Sequence, residues 1–202
     1  MENPWVLGGM IVAGAVVAKG WFDDLRAQQR GVPRAGAFPG ATPARPAALG
    51  IAALGATLLV ALETAGESAL GLADRQTRMT VLFGTYTLVA AFVEELVFRG
   101  YLVIDRRGPA ALWGGILLAS VLFALLHPFL WTWEHGALVV QANAKGWFST
   151  GAVFVGSLWF YAVRFLPNNP TRSLLPCVAA HLAKNAAVFA IKGAQGFVGP
   201  WW

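Results

Sequence analysis

Charged residues are scarce in this chain. Asp, Glu, Lys and Arg make up 12% of its 202 residues, and 57% of the residues are hydrophobic. Soluble domains carry about 25% charged residues, because their surfaces must be covered with groups that water solvates. The composition therefore excludes an ordinary soluble domain and predicts that lipid surrounds most of the protein.

Cysteine is almost absent, and the first four residues carry no basic side chain. Cys177 is the only cysteine, so an intramolecular disulfide is excluded and redox chemistry is not indicated. The N-terminal residues Met1 to Pro4 include no Lys or Arg, so we interpret the apolar run after them as a retained membrane span. We find no internal repeat and expect one membrane domain over residues 1–202.

Six apolar stretches are present, and each can form a spanning helix. They cover residues 4–18, 47–62, 79–98, 109–127, 147–165 and 174–191. The 9 Trp and 23 Gly residues fit membrane helices, since Trp collects at membrane interfaces and Gly is tolerated in spans. The predicted fold class is all-α, a polytopic bundle of about six spans. Residues 20–46 contain four prolines and predict an irregular basic loop.

The distribution of basic residues predicts an orientation. The net charge is +5, but Lys and Arg are spread over the connections and form no basic face, so we expect no nucleic-acid partner. Alternating the connections across a bilayer puts ten basic residues on one side and four on the other. The positive-inside rule then places both termini outside. We expect a multi-pass protein of a bacterial cytoplasmic membrane.

Ionisable residues lie inside three of the predicted spans, where each charge costs about 3 kcal/mol, so they are functional candidates. In the third span, Glu95 and Arg99 are four residues apart and can pair on one helix face. Glu94 is rotated by about 100° from Glu95, which leaves it able to face a cavity and act as a base. We therefore assign Glu95 and Arg99 to support and Glu94 to catalysis.

The fourth and sixth spans supply the other candidates. His181 and Asn185 are also four apart, so they can direct two hydrogen-bond donors at one developing oxyanion. His127 is a second group able to handle protons, and because it precedes Pro128 we expect the helix to break there. At 1.5 Å per residue, Glu94, His181 and Asn185 lie at one depth, whereas His127 is displaced by about 10 Å.

In chain order these residues form the patterns E-E-x-x-x-R, F-x-x-x-H and H-x-x-x-N at residues 94–99, 123–127 and 181–185. All three patterns, each in an apolar span, resemble the CPBP family of intramembrane proteases, which includes the type II CAAX prenyl endopeptidases and bacteriocin-processing or self-immunity proteins. The resemblance covers residues 79–191, the expected protease core. The chain departs from the prenyl endopeptidases in having fewer apparent spans.

The resemblance implies that Glu94 and His127 activate water, that Glu95 and Arg99 support the site, and that His181 and Asn185 stabilise the oxyanion. The substrate would be a membrane-associated protein or peptide, bound in a cavity between the third, fourth and sixth spans. We expect no cofactor. In the alternative interpretation His127, His181 and a carboxylate hold catalytic zinc. The remaining alternatives are a non-enzymatic immunity or binding protein and a small transporter.

Overall fold

A computed structural model describes residues 3–202. Its elements are α1 (Pro4–Gln29), α2 (Pro46–Ala69), a 3₁₀ turn (Ala73–Arg75), α3 (Val81–Glu95) with a π-helical turn (Leu96–Tyr101), α4 (Pro109–Leu126), β1 (Trp131–Glu134), β2 (Ala137–Val140), α5 (Ala144–Phe165) and α6 (Leu175–Ala194). The fold is mostly helical, which confirms the predicted all-α bundle.

Five of the helices are long and apolar enough to cross a membrane: α1, α2, α3 with its π-helical turn, α4 and α5. The sixth, α6, has 20 residues but is less apolar because it carries His181, Lys184, Asn185 and Lys192. The prediction of about six helices is thus confirmed, while five of them meet the requirements for a span. Large apolar side chains on these helices, such as Leu54, Leu117 and Leu118, are exposed, as expected of a lipid-facing surface.

The first helix is longer than predicted. We expected a span over residues 4–18 and an irregular loop over residues 20–46, but α1 continues to Gln29. Ion pairs of Asp23 with Lys19 and Arg26 support this polar extension on the helix surface. The prediction of a loop was therefore wrong for residues 20–29. The prolines determine the structure only further on, where residues 30–45 are not helical.

Local capping explains several helix starts. The side chains of Asn3, Thr80 and Asn143 accept hydrogen bonds from backbone N–H groups in the first turns of α1, α3 and α5. Proline stands in the first turn of α1, α2, α4 and α6, where its missing N–H costs nothing. Helix α4 ends at Leu126, and His127 has extended backbone angles, so the predicted break before Pro128 is confirmed.

A short antiparallel hairpin, formed by β1 and β2, lies between α4 and α5. Trp131 pairs with Val140 and Glu134 with Ala137. The predicted spans leave residues 128–146 as a connection without assigned structure, because four-residue strands give a weak alternation signal. The Trp131 indole donates a 2.8 Å hydrogen bond to the carbonyl of Leu125. The hairpin is thereby attached to the end of α4.

The connections meet in the two groups that an alternating topology predicts. At one end, Leu174 N–H donates to the carbonyl of Gly40, and Arg172 pairs with Asp105. These contacts join the α1–α2, α3–α4 and α5–α6 connections. At the opposite end, Met79 N–H donates to the carbonyl of Phe197, and Lys145 pairs with Glu67.

The core consists of two apolar clusters that share α5. The larger joins α1, α2, α3, α5 and α6 around residues such as Trp21, Phe92 and Phe160. The smaller joins the π-helical turn with α4 and α5, around Phe123 and Tyr161. The polar side chains around Glu95 and Arg99 lie where these clusters adjoin.

Candidate active site

A fully buried ion pair forms the centre of the site. Glu95 and Arg99 are both 0% exposed, and Arg99 Nη1 donates to Glu95 Oε1 over 3.2 Å. The same carboxylate oxygen lies 2.7 Å from Nδ1 of His181. Because an ionised carboxylate only accepts hydrogen bonds, Nδ1 of His181 is the protonated nitrogen in this arrangement. Glu95 therefore fixes both the orientation and the tautomer of His181.

Arg99 is held from several sides. Its Nη2 donates to Ser157 Oγ over 2.5 Å and to the Ser157 carbonyl over 3.1 Å. The Ser157 hydroxyl in turn donates to Ser120 Oγ over 3.0 Å. The guanidinium carbon lies 4.5 Å from the Phe123 ring centroid and 4.7 Å from that of Tyr161, within cation–π range. This environment compensates a charge that apolar surroundings would otherwise make very costly.

The π-helical turn Leu96–Tyr101 carries Arg99, and α5 holds the turn in place. Tyr161 donates its hydroxyl to the carbonyl of Phe98 over 2.6 Å, and Arg164 donates to the carbonyl of Arg99. A π-helical turn leaves the regular i to i+4 pattern and is often found at functional sites. Sequence reasoning missed Ser157, Tyr161 and Arg164, because a hydroxyl or an arginine in an apolar helix does not identify its partner.

Glu94 is placed differently from its neighbour. Its side chain is 34% exposed, and Oε2 lies 3.7 Å from Nε2 of His181. That separation is too long for a direct hydrogen bond but short enough for the two groups to act on one small molecule or proton between them. The prediction that Glu94 and His181 lie at one depth is confirmed. His181 thus lies between two carboxylates, one fixed and one accessible.

His127 lies beside this group across a shared aromatic ring. Its Nδ1 is 2.7 Å from the carbonyl of Phe123, and because a carbonyl only accepts, Nδ1 carries the proton. The Phe123 ring centroid is 4.8 Å from the His127 ring and 5.9 Å from the His181 ring. The break at the end of α4 therefore brings His127 near the cluster, with Nε2 left as its second nitrogen.

Asn185 lies farther from the carboxylates than predicted. Its Nδ2 donates a 3.0 Å hydrogen bond to the carbonyl of Thr87, which lies about two turns before Glu94 on α3. One of its two amide hydrogens thus joins α6 to α3, and the second remains for another acceptor. Glu95 contacts both Arg99 and His181, and His181 lies 3.7 Å from Glu94, whereas His127 and Asn185 flank this group.

Two cavities border the site. One of about 270 Å³ lies between α1 and α3 and is apolar except for Tyr86 and Glu94. The other, of about 550 Å³, is polar and lies among α2, α5, α6 and the hairpin. It is lined by Pro128 and Phe129 next to His127, and by Lys184, three residues after His181 on α6. The catalytic candidates thus lie between an apolar space and a polar one.

The histidines and carboxylates do not form a metal site. Across residues 3–202, no group of three or more His, Cys, Asp or Glu side chains is arranged to hold a metal ion. The zinc alternative therefore does not fit the donor set of the described residues.

The fold and these contacts describe a polytopic helical membrane protein with a buried carboxylate–imidazole site. Residues 76–187 match the family model described as type II CAAX prenyl endopeptidase Rce1-like. The match covers more than half of the chain, and the chain belongs to this family, which confirms the resemblance. This family is one of intramembrane peptidases. No curated protein and no solved structure matches the chain.

Proposed function

We propose that this protein is an intramembrane endopeptidase that cleaves a peptide bond of a membrane-associated protein with water activated by Glu94. The observation that carries the proposal is the different placement of two adjacent carboxylates. Glu95 is 0% exposed and bound to Arg99 and His181, whereas Glu94 is 34% exposed and 3.7 Å from His181. This difference supports Glu94 as the group that meets a substrate and a water together.

Glu94 fits the role of general base. Its carboxylate is accessible and has no hydrogen bond to another group among residues 3–202, so it can accept a proton from a bound water. Glu95 does not fit this role, since its side chain is 0% exposed and Oε1 already accepts hydrogen bonds from Arg99 and His181. Its buried charge instead positions His181, whose Nε2 points toward Glu94.

The reaction follows general acid–base logic. Glu94 takes one proton from water as the water oxygen bonds to the carbonyl carbon of the substrate. The carbonyl oxygen becomes an oxyanion, and the second amide hydrogen of Asn185 and Nε2 of His181 supply donors for it, with His181 entering the reaction protonated on both nitrogens. When the carbon–nitrogen bond breaks, the leaving nitrogen takes the proton that Glu94 removed from water, either directly or through Nε2 of His127, and Glu94 becomes a carboxylate again. The new carboxylic acid then loses its proton to solvent, which leaves a carboxylate and an amine.

His127 fits the role of a second proton carrier. Its Nδ1 hydrogen is bound to the carbonyl of Phe123, so Nε2 can take up and release a proton without changing the tautomer. The next two residues, Pro128 and Phe129, line the polar cavity, which is a route by which water can reach His127.

The test compares membrane-protein termini by mass spectrometry in cells that contain either the intact protein or Glu94→Gln. We expect new termini only with the intact protein, because Gln keeps the size of Glu94 but cannot accept the proton. The cleaved proteins would also identify the substrate. Glu134→Gln is the control, since Glu134 is exposed in the hairpin and lines neither cavity.

The outcomes separate the proposal from its rivals. Identical termini in both samples, with purified Glu94→Gln cleaving as fast as the intact protein, would end the peptidase mechanism. Solute flux that Glu94→Gln abolishes, without any change in protein termini, would instead indicate a transporter. Retained biological activity in Glu94→Gln would indicate a protein that acts by binding.

A further inference from the structure

The polar cavity of about 550 Å³ has an excess of positive charge. Its lining includes four basic side chains, Arg75, Lys145, Lys184 and Lys192, and two acidic ones, Glu63 and Glu67. Such a cavity within a membrane protein is costly unless its charges are compensated, so each charge needs a partner.

Glu67 and Lys145 compensate each other. Glu67 is 5% exposed and forms an ion pair with Lys145, while Gln76 donates to its other carboxylate oxygen. This pair joins α2 to α5 and is satisfied within the protein. The remaining lining charges are three basic residues and one acidic residue, Glu63.

Lys192 is a buried cation that forms no ion pair with any carboxylate among residues 3–202. It is 8% exposed, and its ammonium group donates to the carbonyl of Thr77 over 2.5 Å and lies 3.4 Å from the Thr77 hydroxyl. These neutral acceptors leave the positive charge itself unbalanced. An ammonium group has three hydrogens and can bind a further acceptor.

Lys184 has neither an ion-pair nor a hydrogen-bond partner among residues 3–202, and its direction is set by packing. A methyl group added at Gly156 of α5 would lie 3.3 Å from Lys184 Cε and 3.6 Å from Cδ. The glycine therefore lets the lysine stem pass across α5 to line the polar cavity. Lys184 is three residues from His181, about 4.5 Å along the helix axis.

We propose that this cavity is an oxyanion-binding subsite, with Lys184 as its principal cation, that holds a carboxylate of the peptide substrate. The inference rests on the proposed peptidase function and adds a specificity determinant to it. Lys192 supplies the second positive charge, eight residues further along α6 and about 12 Å away. The cavity adjoins His127 through Pro128 and Phe129, so a bound carboxylate lies close to the reacting groups.

The cavity lining also offers uncharged hydrogen-bonding groups to a bound peptide carboxylate. The cavity is bordered by α2, α5, α6 and the hairpin, and the hairpin residues Thr132 and Gln141 add uncharged hydrogen-bonding groups to its lining. A charge-assisted hydrogen bond from Lys184 would discriminate an acid from its uncharged amide. Phosphate shares the same oxyanion chemistry, so the experiment must separate the two sources.

The test measures binding of the full-length protein in phosphatidylcholine nanodiscs by calorimetry. The probes are an N-acetylated alanine–leucine tetrapeptide with a free carboxylate, the same peptide as an amide, and inorganic phosphate. We expect the acid to bind about tenfold more tightly than the amide. Lys184→Met should remove this preference, while Lys19→Met, which changes an exposed lysine on α1 paired with Asp23, should retain it.

Equal binding of acid and amide by the intact protein would overturn the proposal. Nanodiscs that contain phosphatidylglycerol test the lipid source. If that lipid blocks the site through Lys184 and the peptide carboxylate gives no preference, the site belongs to a lipid phosphate and the peptide assignment is wrong. An acid preference that Lys184→Met leaves unchanged would also overturn the assignment.

Binding is measured without cleavage, so the inference and the peptidase proposal fail separately. Glu94→Gln should retain the acid preference, because the two groups are assigned different tasks. A protein that shows the Lys184-dependent preference but cleaves nothing would keep the oxyanion site and lose the peptidase. Cleavage that is equally fast for acid and amide substrates would keep the peptidase and overturn the subsite.

Discussion

The region that matches the family and the two helices before it contribute different things to the site. All six residues predicted for the site, Glu94, Glu95, Arg99, His127, His181 and Asn185, lie within residues 76–187. Helices α1 and α2 lie outside the matched region and supply none of them. They instead form walls of the two cavities, with Met10, Ala13, Gly14 and Val17 at the apolar one and Val60, Glu63, Thr64 and Glu67 at the polar one.

Under the proposed function, this division separates the residues that react from the residues that select the substrate. The reacting groups need fixed geometry, which the Glu95–Arg99 pair and the two apolar clusters provide. The walls need only shape and charge that suit one substrate. Changes in the six predicted site residues should therefore lower kcat, whereas changes in the cavity walls, including those on α1 and α2, should alter KM and substrate choice.

The largest effect should come from Glu94→Gln. We expect kcat to fall by about 10⁴, at the upper end of the contribution of a general base. The measurement is the cleavage rate of a purified substrate, with helical content and thermal unfolding checked in parallel. Glu63→Gln is the matched change in α2, and a loss of kcat there equal to that of Glu94→Gln would break the comparison.

The next largest effect should come from His127→Ala, which we expect to lower kcat by about 10³ because a second proton carrier is lost. The backbone break at this residue depends on Pro128, so the fold should persist. His135→Ala serves as the control, since His135 is exposed in the hairpin turn. Full activity of purified His127→Ala would remove His127 from the mechanism and leave Glu94 and His181 as the reacting pair.

Asn185→Ala should lower kcat by about 10² with little change in substrate binding, since an oxyanion donor acts on the transition state. It should also destabilise the fold by about 1 kcal/mol, because the hydrogen bond to Thr87 is lost. Cleavage kinetics and thermal unfolding separate the two effects. A purely structural Asn185 would show the loss of stability with kcat unchanged.

Much of the fold could be predicted from the sequence, because apolar runs determine membrane helices directly. The end of α4 before Pro128 followed from a local steric rule, and the pairing of Glu95 with Arg99 followed from helix spacing. The extension of α1 to Gln29 and the hairpin did not follow, since surface ion pairs and four-residue strands give little hydrophobic pattern.

The residues of the candidate site could be named from the sequence, but most of the contacts between them could not. Inside lipid, an ionisable residue is costly, so Glu94 and His181 were conspicuous in the sequence. Which oxygen meets which nitrogen depends on the π-helical turn and on the packing of α3 against α6, and neither is encoded locally. The role of Ser157 beneath Arg99 and the direction of Lys184 across Gly156 likewise depend on tertiary contacts.

The smallest expected effect tests the wall formed by α1. Ala13 lines the apolar cavity that Glu94 also lines, and Ala13→Phe should fill part of that space. We expect KM for an apolar substrate to rise by about tenfold, the size of effect that a hydrophobic pocket exerts, with kcat nearly unchanged. Steady-state kinetics with substrates of different apolar bulk would measure it.

Val12→Phe is the matched control on the same helix. Val12 is 64% exposed and does not line the cavity, so the added ring should lie in lipid and leave KM unchanged. Equal effects of the two variants would show that α1 acts only through general packing. A fall in kcat with Ala13→Phe at constant KM would instead place α1 within the catalytic geometry, and the division between chemistry in the six site residues and selectivity in the cavity walls would no longer hold.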